Sequence, residues 1–327
     1  MKVLRVIAGA LLAFSILFTA LLGAKKIPEK SLDIKTPEYK GVLSLWQIDS
    51  FASGKGSVKR FLLEVARDFE KSNPGVLVMV TEHSVSGAKE SMLSGSVPDI
   101  VVFGRATDPA GFTELGVKNA FRGGKVGDKT FAARWAGGGY ALISSRGASA
   151  ADKKISELVV SGGDTAPLAA FALTGYTAEK VTEYKPSAAR AEFIKKGGFL
   201  VGTQSDVVKL EIYGADFSVE WLTGYNDLYR YVAVTSADEN KNYFSQKFVE
   251  CLLSEKSQLK LDKIAMFSEN YRTKAESENF IKLGEVNFDK TISAFLAEDL
   301  LAEIKELSEA AATGDDAALK KLKNVLI

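Results

Sequence analysis

The chain is almost without the two residue types most often used for soft-metal binding and nucleophilic catalysis. Its 327 residues include one cysteine, Cys251, and one histidine, His83. A single cysteine cannot form an internal disulfide, and one residue of each kind argues against a zinc site or a Cys-His or Ser-His catalytic pair. We therefore expect no metal, no cofactor and no catalytic residue. The apolar neighbours of Cys251 favour a place in a helix core.

An excess of charge of either sign is also missing. Lysine and arginine total 42, against 41 for aspartate and glutamate, and no basic run with interleaved aromatic residues occurs. Nucleic-acid binding is therefore not expected. With 46% hydrophobic and 25% charged residues, the composition is that of an ordinary globular protein, and the length allows two domains.

Glycine-rich motifs that bind phosphate are absent as well. The chain has no Gly-x-x-x-x-Gly-Lys-Ser/Thr loop, since Gly54-Lys-Gly-Ser is too short to be one. The first predicted strand ends in Trp46-Gln47-Ile48-Asp49 rather than in the Gly-x-Gly-x-x-Gly of dinucleotide-binding enzymes. An ATPase and a nucleotide-dependent enzyme are therefore disfavoured, and we predict a protein that is not an enzyme.

The long hydrophobic run is at the N-terminus. Residues 6–24 carry no charge and follow Lys2 and Arg5, which is the form of an export signal and is long enough for an apolar helix that spans a bilayer. A cut after Ala24 would place Leu22 at a position of the cleavage motif that prefers a small residue. The sequence therefore leaves two alternatives, a cleaved signal peptide and a retained membrane anchor. Residues 25–40 hold prolines and charges without an apolar period, which predicts a linker.

Residues 41–104 alternate short apolar runs with segments of helical periodicity. Strands are predicted at 41–50, 76–81 and 98–104. Between the first two, five apolar residues recur with the spacing of one helix face: Val58, Phe61, Leu62, Val65 and Phe69. Such an alternation predicts a parallel sheet with right-handed crossovers.

Ligands of such sheets bind beyond the carboxyl ends of the strands. Three stretches share that edge: residues 46–50, 82–84 and 103–105. This gives a candidate site.

The remaining chain is predicted from its apolar pattern and its breaks. We expect a helix at 109–121, a hairpin turn at 123–129 and two strands on either side of Gly137 to Gly139. Small helical pieces are predicted over 150–197, followed by a strand from 198 to about 203. A loop at 223–227 leads into a strand at 228–234, and helices are predicted at 242–253, 255–264 and 291–311, with Gly314 as a stop and Asp315 as the cap of a last helix.

In order and spacing, these segments resemble the extracellular solute-binding proteins of bacterial ABC importers, in particular the sugar-binding group (family 1 type). The segments that carry the resemblance are the strand 41–50, the helix exit Phe69-Glu-Lys-Ser-Asn-Pro-Gly-Val-Leu-Val, Val97-Pro-Asp-Ile-Val-Val-Phe, Trp135-Ala-Gly-Gly-Gly-Tyr-Ala-Leu-Ile, Gly202-Thr-Gln-Ser-Asp and the helix pair 248–261.

The resemblance implies an α/β chain with two lobes of the type II periplasmic-binding-protein fold, each a mainly parallel sheet flanked by helices. It places the lobes at 41–135 plus 237–265 and at 136–236 plus 266–327, with chain crossings near 135–140 and 231–236. It also implies an exported monomer that holds a solute, most often a sugar, and delivers it to a permease with a separate ATPase. The protein would lie at the outer face of the cytoplasmic membrane, or be periplasmic or extracellular after cleavage.

A sugar offers apolar C–H faces and a ring of hydroxyls, so its site needs flat aromatic surfaces and planar hydrogen-bonding groups. Candidates for the first are Trp46, Trp135, Tyr140 and Tyr225; candidates for the second, with Gly104 beside them, are Gln47, Asp49, Ser50, Ser84 and Gln204. Each has a structural alternative: packing for the aromatic residues, a helix cap for Asp49 and a loop contact for Gln204.

The sequence departs from this group in two places. Residues 144–149 stand where a Tyr-Asn-Lys segment is usual, so the second lobe is predicted to be reduced, and Ser205 stands where a basic residue is expected. An alternative hypothesis is therefore a membrane-anchored sensor or scaffold on the same fold that no longer binds a sugar.

Overall fold

The computed structural model of the chain describes residues 39–106, 109–117, 123–272 and 277–326. The predicted signal peptide or anchor and nearly all of the linker lie outside these residues. In the described part of the chain, no helix has the length and apolar character needed to span a bilayer.

Twelve strands are described: β1 Gly41–Ile48, β2 Val76–His83, β3 Ile100–Phe103, β4 Lys125–Val126, β5 Lys129–Thr130, β6 Ala133–Gly137, β7 Tyr140–Ser145, β8 Lys154–Ser161, β9 Thr177–Tyr184, β10 Phe199–Thr203, β11 Phe217–Trp221 and β12 Tyr229–Val234. The α-helices of the described residues are α1 Val58–Ser72, α2 Val85–Leu93, α3 Pro167–Leu173, α4 Pro186–Lys196, α5 Gln204–Ile212, α6 Glu239–Leu253, α7 Glu255–Gln258, α8 Glu278–Leu283, α9 Glu298–Ala312 and α10 Asp316–Val325. Short 3₁₀ helices lie at Ala151–Lys153 and Leu261–Ile264.

Sheet 1 has the strand order β2-β1-β3-β12-β6. Strands β1, β2 and β3 are parallel, and β12 runs antiparallel to both β3 and β6. The predicted parallel unit over 41–104 is therefore confirmed, including its crossover helix.

The helix α1 forms where its sequence predicts it. Ser57 caps its first turn by accepting a hydrogen bond from the amide of Arg60, and its apolar stripe, from Val58 to Phe69, is buried. Each buried side chain of this size contributes about 1.5–3 kcal/mol of transfer free energy, so the stripe fixes the helix on the sheet.

Sheet 2 has the order β11-β7-β10-β8-β9, with β7 antiparallel to its two neighbours and β10, β8 and β9 parallel. The prediction of small helical pieces over 150–197 is wrong for β8 and β9. Strand β9 is at the edge of the sheet and keeps most of its residues partly or fully exposed, so it lacks the apolar run of a buried strand. Strand β11 was not predicted.

Two further predictions of helix are wrong. The described residues 109–117 are irregular, because the amides of Thr113 and Leu115 donate to the carbonyls of Val234 and Thr130 rather than along a helix. Residues 291–297 are also irregular, with the amide of Leu296 donating to the carbonyl of Ala106, and α9 begins only at Glu298. The hairpin, the Gly314 stop and the Asp315 cap are confirmed.

The chain crosses between the sheets at two neighbouring places. Gly138 and Gly139 link β6 to β7, and residues 222–228 link β11 to β12. The amide of Gly138 donates to Leu228 at 2.7 Å, and the side-chain amide of Asn226 donates to the Gly138 carbonyl at 2.8 Å. The two connections are thus fastened to each other. The lobe boundaries given above remain a prediction.

Candidate functional site

The loop that follows β1, residues 49–57, leaves sheet 1 at the edge where the parallel strands end. We call it the β1 loop. Three consecutive carbonyl oxygens of this loop accept hydrogen bonds from distant side chains: Phe51 from Arg230 Nη2, Ala52 from Gln204 Nε2 at 3.2 Å, and Ser53 from the Ser205 hydroxyl at 3.3 Å. Arg230 belongs to sheet 1, and the other two donors lie at the start of α5, which follows directly on β10 of sheet 2. The loop therefore joins the two sheets.

Gln204 is completely buried at the start of α5. Its Oε1 accepts a hydrogen bond from the amide of Gly139 at 3.2 Å while its Nε2 donates to Ala52. Its own amide donates to the Gly139 carbonyl at 2.9 Å. The side chain thus connects the first crossing segment to the β1 loop.

The start of α5 is held rigidly in place. Thr203 and Asp206 form a capping box, in which each side chain bonds the backbone of the other residue. Asp206, which is 1% exposed, also forms a salt bridge of 2.5 Å with Arg190 of α4. Gln204 and Ser205 are therefore presented by a helix end with little freedom.

Arg230, at the start of β12, is buried to 3% exposure. Its guanidinium lies 4.8 Å from the centre of the Phe51 ring and donates from Nη2 to the Phe51 carbonyl. No acceptor among the described residues meets its Nε or Nη1. Burial lowers the pKa of Arg230 to about 10, an effect that the charge of Asp49 opposes, so the group is still a cation at neutral pH.

Gln47 is a second buried side chain with an unused hydrogen-bonding atom. It is 4% exposed, and its Oε1 has no donor among the residues that the structure describes. Its strand neighbours are fixed by register, with Gln47 paired to Val102 of β3 and Val102 paired to Val232 of β12.

The other polar candidates from sheet 1 lie at the same edge. Asp49 and Ser50 are exposed, and the amide of Asp49 continues the β1–β2 ladder by donating to His83 at 2.9 Å. Gly104 lies against Ser50, whose Cβ would be 2.5 Å from a Cβ added to the glycine. The structure therefore brings Gln47, Asp49, Ser50, Gly104 and Gln204 to one region around the β1 loop.

Trp46 points to the face of β1 opposite to Gln47, because successive residues of a strand alternate in direction. Its ring is 6% exposed and stacks on the ring of His83, with 4.2 Å between the ring centres. Ser84 also has a local partner: its hydroxyl caps α2 by accepting from the amide of Gly87 at 3.0 Å.

Trp135 lies in the core and presents no surface to a ligand. It is 2% exposed and stacks on Phe61 of α1, with 5.5 Å between the ring centres. Its carbonyl accepts a hydrogen bond from Gln258. The ring packs α1 on sheet 1, which is the structural alternative weighed from the sequence.

Tyr140 and Tyr225 are both fully buried beside Asp227. The Tyr140 hydroxyl donates to one carboxylate oxygen of Asp227, and the other oxygen accepts from the amide of Ala166 at 3.2 Å. Burial raises the pKa of Asp227, and it raises that of both tyrosines, an effect to which the charge of Asp227 adds. This buried network anchors the residue before α3 and offers no aromatic face.

Two residues of this region escaped the sequence analysis as ligand groups. Arg230 is a lone charge within the otherwise apolar or aromatic strand Tyr229–Val234, which is the signal that could have revealed it. Ser205 stood out only as a departure from the expected basic residue. Among the described residues there is no group of three His, Cys, Asp or Glu side chains that could hold a metal ion.

Together, the strand orders and the double crossing define the type II periplasmic-binding-protein fold: two mixed, mainly parallel sheets flanked by helices. This confirms the predicted fold class for the described part of the chain.

Solved structures with this fold include many sugar-binding proteins of ABC transporters. The sugar-binding protein MalE of Xanthomonas citri matches with a TM-score of 0.62 at 15% identity, covering 88% of this chain and 96% of that one. The galacto-N-biose/lacto-N-biose I-binding protein of Bifidobacterium longum, in complex with lacto-N-biose, has a TM-score of 0.58 at 13% identity, with 88% and 95% covered. The maltose/maltodextrin-binding domain of Bdellovibrio bacteriovorus, bound to maltotriose, has 0.54 at 15%, with 88% and 98% covered.

The predicted resemblance is thus confirmed in three dimensions, at identities that show the fold alone. No protein-family model matches the sequence, and neither does any curated protein.

Proposed function

We propose that the chain is the extracytoplasmic solute-binding protein of an ABC importer and that it takes a small carbohydrate at the β1 loop, between its two sheets. The observation that carries this proposal is the convergence of Arg230, Gln204 and Ser205 on three consecutive carbonyl oxygens of that loop. These donors come from sheet 1 and from α5. The hydroxyl oxygens of a sugar could accept the same hydrogen bonds that the three carbonyls accept now.

In this proposal the β1 loop occupies the sugar-binding site when no ligand is bound. A sugar would displace residues 51–53 and take over their donors, while Gln47, Asp49, Ser50 and Gly104 line the same edge. Trp46, with its ring on His83, flanks that edge on the other face of β1.

The partners follow from the fold rather than from any observed contact. A solute-binding protein needs a permease and an ATPase, and the chain carries no phosphate-binding loop of its own. A location at the outer face of the cytoplasmic membrane, or a periplasmic or extracellular one if the leader is cleaved, is part of the same proposal, since residues 1–24 have the form of an export signal.

A second candidate function is a sensor or scaffold that has lost solute binding. It is favoured by the burial of Trp135, Tyr140 and Tyr225, which removes three predicted stacking surfaces, and by the closed packing of the β1 loop on α5.

Thermal unfolding with a panel of mono- and oligosaccharides separates the two functions. A ligand that binds only the native state must raise the melting temperature, and a concentration 100 times the Kd adds about 2.7 kcal/mol. We expect at least one sugar to stabilise the protein. If none of a broad panel, including acidic sugars, raises the melting temperature, the transport function is wrong and the scaffold remains.

A reversible disulfide can test whether the site lies under the β1 loop. A Cβ added to Gly54 would lie 3.4 Å from Cβ of Val208, close to disulfide geometry, but 2.6 Å from Cβ of Ala265. Ala265 has a φ of 51°, which glycine adopts readily, so Ala265→Gly removes that clash at little cost.

The test protein is therefore Gly54→Cys/Val208→Cys/Ala265→Gly with Cys251→Ser. We expect the oxidised protein to bind no sugar and the same protein after reduction to recover binding. The reduced form is the matched control. Equal affinity of the two forms would place the site elsewhere.

A further inference from the structure

The two buried arginines of sheet 1 differ in what the chain provides for them. Arg134 of β6 pairs with Glu269 and lies over the Tyr229 ring at 3.6 Å. Among the described residues, Arg230 has no carboxylate bonded to it, and its one hydrogen bond goes to a neutral carbonyl of the β1 loop. The part of the chain that the structure describes thus neutralises one buried guanidinium and places no counter-charge in contact with the other.

A buried guanidinium with free N–H groups is a strong anion site once a ligand can reach it. The planar fork of arginine matches a carboxylate or a phosphate with two parallel hydrogen bonds, and such charge-assisted bonds are roughly twice as strong as neutral ones. Nε and Nη1 of Arg230 are the two nitrogens without an acceptor among the described residues. A parallel pair of bonds uses Nη2 together with either Nε or Nη1, and Nη2 becomes free when the Phe51 carbonyl leaves.

Gln47 provides the complementary group at the same edge. Gln47, Val102 and Val232 are neighbours in register, and Arg230 lies two residues from Val232 on the same strand, so all four share one face of sheet 1. Because β12 is antiparallel to β3, its first residues lie at the edge where β1 ends. Oε1 of Gln47, which has no donor among the described residues, can accept a hydrogen bond from a hydroxyl group, which an inorganic anion such as chloride does not offer.

We propose that the ligand is a carbohydrate bearing an anionic group, a carboxylate or a phosphate, which binds Nη2 of Arg230 together with Nε or Nη1 while a hydroxyl donates to Gln47. This inference rests on the proposed function and specifies its substrate class. The Phe51 carbonyl holds Arg230 in the unliganded state, and the ligand replaces it when the β1 loop leaves.

Titration calorimetry on the full folded chain tests this with matched pairs of sugars. Galacturonate and glucuronate present a carboxylate, galactose 6-phosphate and glucose 6-phosphate present a phosphate, and galactose and glucose are the neutral parents. We expect an acidic sugar of one of these two kinds to bind about 10- to 100-fold more tightly than its parent, the range for hydrogen bonds to a charged group.

Variants then assign the effect to Arg230. Arg230→Gln should abolish the preference, so that the acidic sugar and its neutral parent bind with similar affinity, and Arg230→Lys should restore only part of the preference because the fork is lost. Arg146→Gln is the control, since it removes an equal charge from an exposed pair with Asp216 and should change nothing.

The outcomes distinguish this inference from the proposed function. If neutral sugars bind as tightly as acidic ones, the inference is wrong and the solute-binding function stands. If none of these six compounds binds, the inference is wrong, and the broad sugar panel of the thermal test decides the proposed function. The comparison of acidic and neutral sugars in the unmodified protein tests the inference even if Arg230→Gln does not fold.

Discussion

Gln204 and Ala52 are 152 positions apart in the chain, yet the side-chain amide of the first donates to the carbonyl of the second at 3.2 Å. The bond joins the first residue of α5 to the β1 loop and so closes sheet 2 onto sheet 1. It is made by a side chain with no exposed surface, which shields it from competition with water.

Removing this side chain should loosen the β1 loop without unfolding the protein. In Gln204→Ala the Gly139 amide loses its acceptor and the Ala52 carbonyl its donor. We expect faster hydrogen exchange of the amides of Gly139 and of residues 50–56, by about 5- to 10-fold, as expected for losing a bond of about 1 kcal/mol.

Gln246→Ala is the matched control for that measurement. Gln246 of α6 bonds backbone groups of a different loop, the amide of Gly116 at 3.2 Å and the carbonyl of Glu114 at 2.9 Å. Its effect on exchange should stay near residues 114–116. A change at 50–56 in this control, or none there in Gln204→Ala, would contradict the role given to Gln204.

A methyl group at Gly138 should disturb the same contact from the other side. A Cβ there would lie 2.4 Å from Oε1 and 2.6 Å from Cδ of Gln204, whose buried position leaves it little room to move. We expect Gly138→Ala to lower the free energy of unfolding by about 1–3 kcal/mol, the usual cost of overpacking. Urea denaturation gives the value.

Gly163→Ala is the control, since a Cβ at Gly163 meets nothing within 4 Å. It should be neutral or should stabilise by up to about 1 kcal/mol through the unfolded state. The cost of Gly138→Ala should shrink in a Gln204→Ala background, because the clashing atoms are gone. An unchanged cost in the double variant would refute the proposed clash.

Asp68 should give the protein a pH-dependent stability at the acid end. Hydrogen bonds from Lys256 and Lys260, at 3.0 and 3.1 Å, lower the pKa of this carboxyl to about 2. A carboxyl with a lowered pKa in the folded state stabilises the protein above its unfolded pKa of about 3.9 and loses that contribution as the pH falls towards 2.

Asp68→Asn tests this sign. Because the cluster is near the surface and screened by solvent, we expect a loss of about 1 kcal/mol in the free energy of unfolding at pH 5–7. The difference from the unmodified protein should shrink as the pH is lowered from 4 to 3. Asp128→Asn, in the exposed turn of the β4–β5 hairpin, should show no difference at either pH.

The parts of the fold that could be predicted are those whose burial is visible along the chain. Strands β1 to β3 and helix α1 show their apolar pattern directly: β3 is buried along its length, β2 is an apolar run although only one of its faces is buried, and the helix buries one face. Strand β9 could not be recognised in this way, because it is mostly polar and only one of its residues is fully buried. Residues 291–297 follow their backbone partners in other segments, which no local pattern encodes.

The residues of the candidate site could likewise be predicted only in part. The rule that ligands bind beyond the carboxyl ends of parallel strands pointed to the edge where Gln47, Asp49 and Ser50 lie. It could not tell whether an aromatic ring stacks on a ligand or on another ring, as Trp135 does on Phe61. Arg230 was missed because it comes from an antiparallel strand far along the chain, which reaches this edge only after folding.

The three bound carbonyls of the β1 loop have a consequence for affinity. A solute that enters under this loop competes with the loop carbonyls for the same donors. Because the loop is part of the chain, its effective concentration is fixed by the fold and does not depend on the protein concentration. The apparent dissociation constant is then the intrinsic one divided by the fraction of molecules whose loop has already left. Under the proposed function, discrimination between solutes thus begins with this competition, and the ligand that bonds these donors best binds at the lowest concentration.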